Sequence, residues 1–166
     1  MTEVSPLRPG HHTLTPYMAV DDARRAHAFY QRAFGADVLN VLTMPDGRVM
    51  YAELRIGDSM LVVVDEMEAV GLRTPEHGGV VTLVITGPDA DGRFARAVAE
   101  GATASIPVGP SFAGERHGLV ICPFGHRWIL SSRVEDLTDE QIRERWQQLV
   151  QRAQTPPSAS PAESTT

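Results

Sequence analysis

The residues able to do chemistry in this 166-residue chain are few, and the densest group is CPFGHRWIL at 122–130. It holds the only cysteine, a histidine and two large aromatics. A nucleophilic thiol needs a paired histidine or a helix N-terminus to lower its pKa, and no such feature stands beside Cys122. A metal site needs further donors at ligand spacing. The histidines at 11, 12, 27, 77, 117 and 126 form no HxH, HxxxH or His-x-x-Glu-His pattern. The stretch therefore reads as a hairpin: a tight turn through Pro123 and His126, then a returning strand. Trp128 and Leu130 should point inward, with Arg127, Ile129 and Ser131 on the opposite face. A functional thiol is the minority reading. The other candidates are Tyr51, Glu53 and Arg55, alternating on one strand, and Arg116 with His117 before another. A Glu53–His117 or Tyr51–His117 pair would make a general acid or base if both members faced a cleft. Otherwise these are exposed strand residues.

The elements that must carry these residues emerge from the patterning. A net charge of −6 and the absence of any basic cluster argue against nucleic acid, and no phosphate-cradling motif occurs. The longest apolar run, MLVVV at 60–64, is too short to span a bilayer. No apolar stretch near the start suggests a signal peptide, so a cytoplasmic protein is expected. Residues 1–12 read as a flexible segment and the Pro/Ser/Thr-rich 155–166 as a disordered tail. Residues 137–154 read as a helix opened by a Thr138/Gln141 capping box, its face of Ile142, Trp146, Leu149 and Val150 docked on the body.

Between these ends the chain repeats itself. LTPYMAVDDARRAHAFYQRAFGAD and VTLVITGPDADGRFARAVAEGAT share one layout: a short strand, a turn, an amphipathic helix and a closing glycine. Thr15 matches Thr82 and Asp22 matches Asp89, a spacing of 67 residues. In the first helix Ala23, Ala26, Phe29, Tyr30, Ala33 and Phe34 share a side; in the second, Phe94, Ala97 and Val98 should face inward. Downstream, DGRVMYAELRIGDSMLVVVDE resembles RHGLVICPFGHRWILSSRVED, with Gly57 set against Gly125 and Leu61 against Ile129, a spacing of 68. Each half is strand, helix and three strands. The expected fold is α+β: one domain over 13–136, with βαβββ half-barrel modules at 13–66 and 79–136 forming a curved mixed sheet with a cleft.

These segments, with PFGHRWIL and VEDLT, resemble the vicinal oxygen chelate superfamily of glyoxalases, ring-cleaving dioxygenases, epimerases and bleomycin-type resistance proteins. They are closest to an uncharacterised bacterial branch. The resemblance implies four metal-ligand positions, which fall here on Thr15, Leu61, Thr82 and Ile129. Two hydroxyls and two hydrocarbons do not hold a divalent first-row metal, so no metal or cofactor is expected. Alternation places Thr15, Tyr17, Leu61, Val63, Thr82, Val84, Thr86, Arg127, Ile129 and Ser131 on the cleft wall. That wall suits a small, largely apolar or aromatic molecule. The expected function is binding for resistance or sequestration, in a homodimer as the resemblance implies. The alternative is an enzyme (isomerase, cyclase or lyase) using Tyr51, Glu53 and His117, or a nonstandard metal.

Overall fold

A computed structural model describes residues 10–154 of the chain, with side chains to residue 152. The expectations for 1–9 and 155–166 lie outside the described residues. The first module runs β1 (Tyr17–Val20), α1 (Ala23–Phe34), β2 (Asp37–Thr43), β3 (Val49–Ile56) and β4 (Ser59–Asp65). The second runs β5 (Thr82–Thr86), α2 (Ala90–Ala99), β6 (Thr103–Pro110), β7 (Glu115–Ile121) and β8 (Arg127–Arg133). A C-terminal helix, α3 (Asp139–Gln154), follows. Each module forms a four-stranded mixed sheet, ordered β1-β4-β3-β2 and β5-β8-β7-β6. The first strand of each lies parallel to the last and the others are antiparallel. This is the expected α+β architecture.

Local chemistry sets the helix limits. Asp22 caps α1, its Oδ1 accepting from Arg25 N at 2.9 Å, and Gly35 closes the helix at φ 69°. That left-handed backbone disfavours any residue bearing a Cβ. Asp89 caps α2 in the same way, accepting from Gly92 N at 2.9 Å. The expected capping box of α3 is present: Thr138 N donates to Gln141 Oε1 at 2.9 Å, and Gln141 N donates to Thr138 Oγ1 at 3.3 Å.

One face of both sheets packs on α1 and α2 in a single core. Phe29, Tyr30, Ala33, Leu54, Val63, Val120, Trp128 and Leu130 are buried there. Tyr30 lies 5.3 Å from the Trp128 ring and 6.3 Å from Phe124, so the second hairpin reaches into the first module's helix. Val98 departs from expectation: it is 38% exposed, because α2 buries mainly Ala90 and Ala97. The α3 stripe also departs. Trp146 and Leu149 remain about half exposed, and Trp146 meets Phe112 with ring centroids 5.1 Å apart.

Register corrects the expected cleft wall at two positions. Tyr17 pairs with Val62 and Ala19 with Val64, while Met18 pairs with Val63 and Leu54 with Leu61. Paired residues share a face, so Leu61 and Val63 point at the helices, where both are buried. Met60, Val62 and Val64 take the concave side. The cause is a difference between the hairpin turns. Ile56 pairs with Ser59 across Gly57 and Asp58. In the second module Cys122 N donates to His126 O across Pro123, Phe124 and Gly125. The turn glycines are 68 residues apart, but the returning strands are related by 67. Leu61 therefore corresponds to Trp128 and Val62 to Ile129. In the second module Thr82, Val84 and Thr86 pair with Arg127, Ile129 and Ser131, and these six share the concave face as expected.

Candidate functional site

On the concave side of the first module, β1 and β3 bring together Tyr17, Tyr51 and Glu53. The Tyr17 ring is 43% exposed and lies 6.4 Å from the Tyr51 ring, tilted by 56°. Its hydroxyl donates to the Met50 carbonyl at 3.3 Å, and partial burial raises its pKa. Tyr51 Oη donates to Glu53 Oε1 at 2.5 Å. Glu53 is 6% exposed, so its charge requires partners. A second partner is His11, whose Nε2 lies 3.0 Å from Glu53 Oε1. The sequence expectation puts His11 in a flexible segment and not in a site. Neighbouring His12 likewise donates from Nε2 to the Asp58 carbonyl at 3.2 Å. No short-range spacing links His11 to Glu53, which stands 42 residues away; only the path of the chain into β1 joins them.

The second module's concave face is different. His117 pairs with Ser131 across β7 and β8. Ser131 is 1% exposed, and its hydroxyl has no hydrogen-bond partner among the described residues. Leu119 pairs with Ile129, and Arg127 at the start of β8 is exposed. His117 also lines a cavity of ≈ 560 Å³ with Pro110, Phe112, Arg145 and Leu149, under α3. Glu53 and Tyr51 line no part of that cavity, and among the described residues their hydrogen bonds run to each other and to His11 rather than to His117. Thr15, just ahead of β1, is half-buried, while Thr82, Val84 and Thr86 are exposed.

The hairpin at 122–130 is structural. Cys122 is 3% exposed, burial pushes its thiol pKa up, and its sulfur lies 3.8 Å from Tyr30 Oη. A thiol held neutral against an aromatic cluster is a poor nucleophile. Among the described residues no group of three or more His, Cys, Asp or Glu could hold a metal ion. Moving the implied ligand position from Leu61 to Val62 exchanges one hydrocarbon for another.

Residues 10–130 match the Glyoxalase/Bleomycin resistance protein/Dioxygenase superfamily. The chain belongs to this superfamily. It is 34% identical over 135 residues to an uncharacterised protein of Mycobacterium tuberculosis, covering 78% of this chain and 79% of that one. Among solved structures it is similar to TioX from Micromonospora sp. ML1, at 25% identity and TM-score 0.58, over 76% of this chain and all of TioX. It is also similar to a gene product of Arabidopsis thaliana, at 29% identity and TM-score 0.57, over 72% of this chain and 98% of that one. Superfamily membership fixes the scaffold and leaves the chemistry to the site residues. Among the described residues no helix is long and apolar enough to cross a membrane.

Proposed function

We propose that this superfamily member binds a small, largely apolar or aromatic molecule on the concave side of its sheets, without a metal, as a cytoplasmic homodimer. One observation carries the reading: a half-exposed Tyr17 ring set beside Tyr51, on a face whose ligand-equivalent positions are Thr15, Val62, Thr82 and Ile129. An aromatic platform among hydrocarbon and hydroxyl groups suits stacking and burial of a ligand, and those four side chains suit no first-row metal. A two-fold dimer suits such a face, since a second copy can bring one module's concave side opposite the other's. Sequestration or resistance is the role that follows.

The test uses anilinonaphthalene sulfonate, whose fluorescence reports an apolar aromatic site. Tyr17→Ala should weaken its binding by roughly 1–3 kcal/mol, the loss typical of an aromatic anchor. Unchanged affinity would remove the platform. Elemental analysis of tag-free protein should find far less than one first-row metal per chain, and light scattering should give a dimer.

The Tyr51–Glu53–His11 chain favours a second reading, acid/base catalysis by a metal-free enzyme. Here Glu53 would exchange a proton with a bound substrate and Tyr51 would relay it. Glu53→Gln should then abolish turnover of a substrate that still binds. Under pure sequestration it changes binding alone.

A further inference from the structure

The two modules meet at two internally related junctions, and only one is filled. At the first, the 122–126 turn abuts the open edge of β1. Val62 N donates to Pro16 O and Glu66 N to Val20 O. In a parallel ladder the residues bonded to the neighbouring strand alternate with residues whose backbone groups face away. Ala19 therefore presents its carbonyl outward, and His126 Nε2 donates to it at 2.9 Å. The imidazole is 1% exposed and fills the joint, while Phe124 on the same turn packs at 6.1 Å from Phe29.

At the second junction, the 56–59 turn faces the open edge of β5. Arg127 N donates to Val81 O and Gly87 N to Ser131 O, so the outward carbonyls of β5 include Thr86, the counterpart of Ala19. The counterpart of His126 is Ser59. Its hydroxyl is too short to replace a ring, and it is turned to Asp58 Oδ1 at 2.9 Å. What remains is a cavity of ≈ 500 Å³ lined by Leu14, Phe34, Ile56 and Leu83, with Ser59 and Thr86 beside them.

We propose that this open junction is a second ligand site, distinct from the Tyr17–Tyr51 platform, that takes a small neutral heteroaromatic molecule carrying one N–H donor. Such a molecule supplies what His126 supplies at the filled joint: a flat ring in an apolar gap and an N–H aimed at an outward carbonyl. Two donors in the lining are already engaged within the chain, Arg93 on the Gly87 and Ser131 carbonyls and His12 on the Asp58 carbonyl. The acceptors beside them, Thr86 O and the Asp58 carboxylate, would be left unpaired by a ligand offering only acceptors. The rest of the wall is largely hydrocarbon and aromatic, which suits a ring better than a sugar or a phosphate.

The experiment is an amide-resolved NMR titration of the full chain with benzimidazole, and with N-methylbenzimidazole, which keeps the rings and lacks the N–H. Benzimidazole should saturate, with shifts at Gly57, Ser59, Leu83 and Thr86, and the methylated probe should bind about tenfold or more weaker. Ser59→His, which places an imidazole in the gap, should abolish the shifts. Leu14→Asp changes an exposed wall residue and so spares the fold; it should weaken binding severalfold. Tyr17→Ala should leave these shifts unchanged, so failure here and failure of the concave-face reading are distinguishable. Absence of saturation at millimolar probe, equal binding of both probes, or shifts centred on Tyr17 and Tyr51 would each overturn the proposal. Concentration-dependent protection of the β5 amides without probe would also overturn it, assigning the edge to a second chain.

Discussion

Where the 122–126 turn meets β1, a buried imidazole donates to the Ala19 carbonyl, and Pro75 of the intermodule linker lies where a Cβ on Gly125 would stand, 2.9 Å from that position. Where the 56–59 turn meets β5, Ser59 replaces the imidazole, and a Cβ on Gly57 would meet nothing within 4 Å. The strands on either side are alike in order and direction, so backbone topology does not account for the difference. It lies in one side chain and one turn residue. The three-residue turn carries Phe124 into the core and His126 across the joint. The two-residue turn carries neither. Two copies of one supersecondary unit can thus share a ladder and still differ in whether their joint is sealed or hollow.

Substitution at paired positions should break this comparison if it is wrong. His126→Ala removes a buried ring and uncaps the Ala19 carbonyl, and should cost about 2–4 kcal/mol of stability. Ser59→Ala at the open joint should stay within about 0.5 kcal/mol. Urea denaturation of both variants decides it: equal midpoints would mean that the imidazole adds nothing to the joint. The turn glycines give a finer contrast. Gly57 and Gly125 both have positive φ, at 61° and 82°, so alanine at either costs roughly 1–2 kcal/mol in backbone strain. Gly125→Ala should lose about 1–3 kcal/mol more through its clash with Pro75. Thermal melts that rank the pair in reverse would reject the packing difference.

The smallest effect is in pH dependence. Burial lowers the pKa of His126 and of His27, whose Nε2 donates to Val63 O at 3.1 Å. The unfolded chain takes up these protons near its ordinary value of about 6.5, while the folded chain resists them. Stability should therefore fall as pH drops below about 6.5, and continue to fall until the lowered folded values are passed. His77 runs the other way. Its hydrogen bond to Glu66 raises its pKa, so its contribution is complete below about 6.5 and lost as pH rises through the raised value. That pair is exposed, and screening keeps its effect slight. The urea midpoint of His126→Ala, followed from neutral to acid pH, should drop less steeply than that of wild type.

Much of this was legible in the chain because repetition and period are local signals. The strand–helix units, the core face of α1, the Gly35 terminus and the Thr138 capping box all follow from spacing alone. So does the inward Trp128. Leu61 and Val63 were misplaced because a period of two makes a one-residue error total: matching turn glycines across turns of unequal length inverted the face of β4. Val98 was misplaced because α2 buries a narrow seam of alanines. His11 was missed because its partner Glu53 is brought near by tertiary structure, with no motif to announce it. Residue type alone suggests the pairing of His117 with Glu53, whose strands, β7 and β3, belong to different modules.

The sparse seating of α3 has a consequence for handling the protein. Its anchors among the described residues include the Phe112–Trp146 ring contact and the Glu135–Arg145 ion pair, and half of its apolar stripe, Trp146 and Leu149, stays open to solvent. A helix held so lightly opens at a small fraction of the free energy needed to unfold the body. Its amide hydrogens should exchange with solvent deuterium long before those of β4 and β8. Arg143, Arg145 and Arg152 would then be the first trypsin sites to be cut, trimming the chain to a shorter body that keeps both modules and both joints.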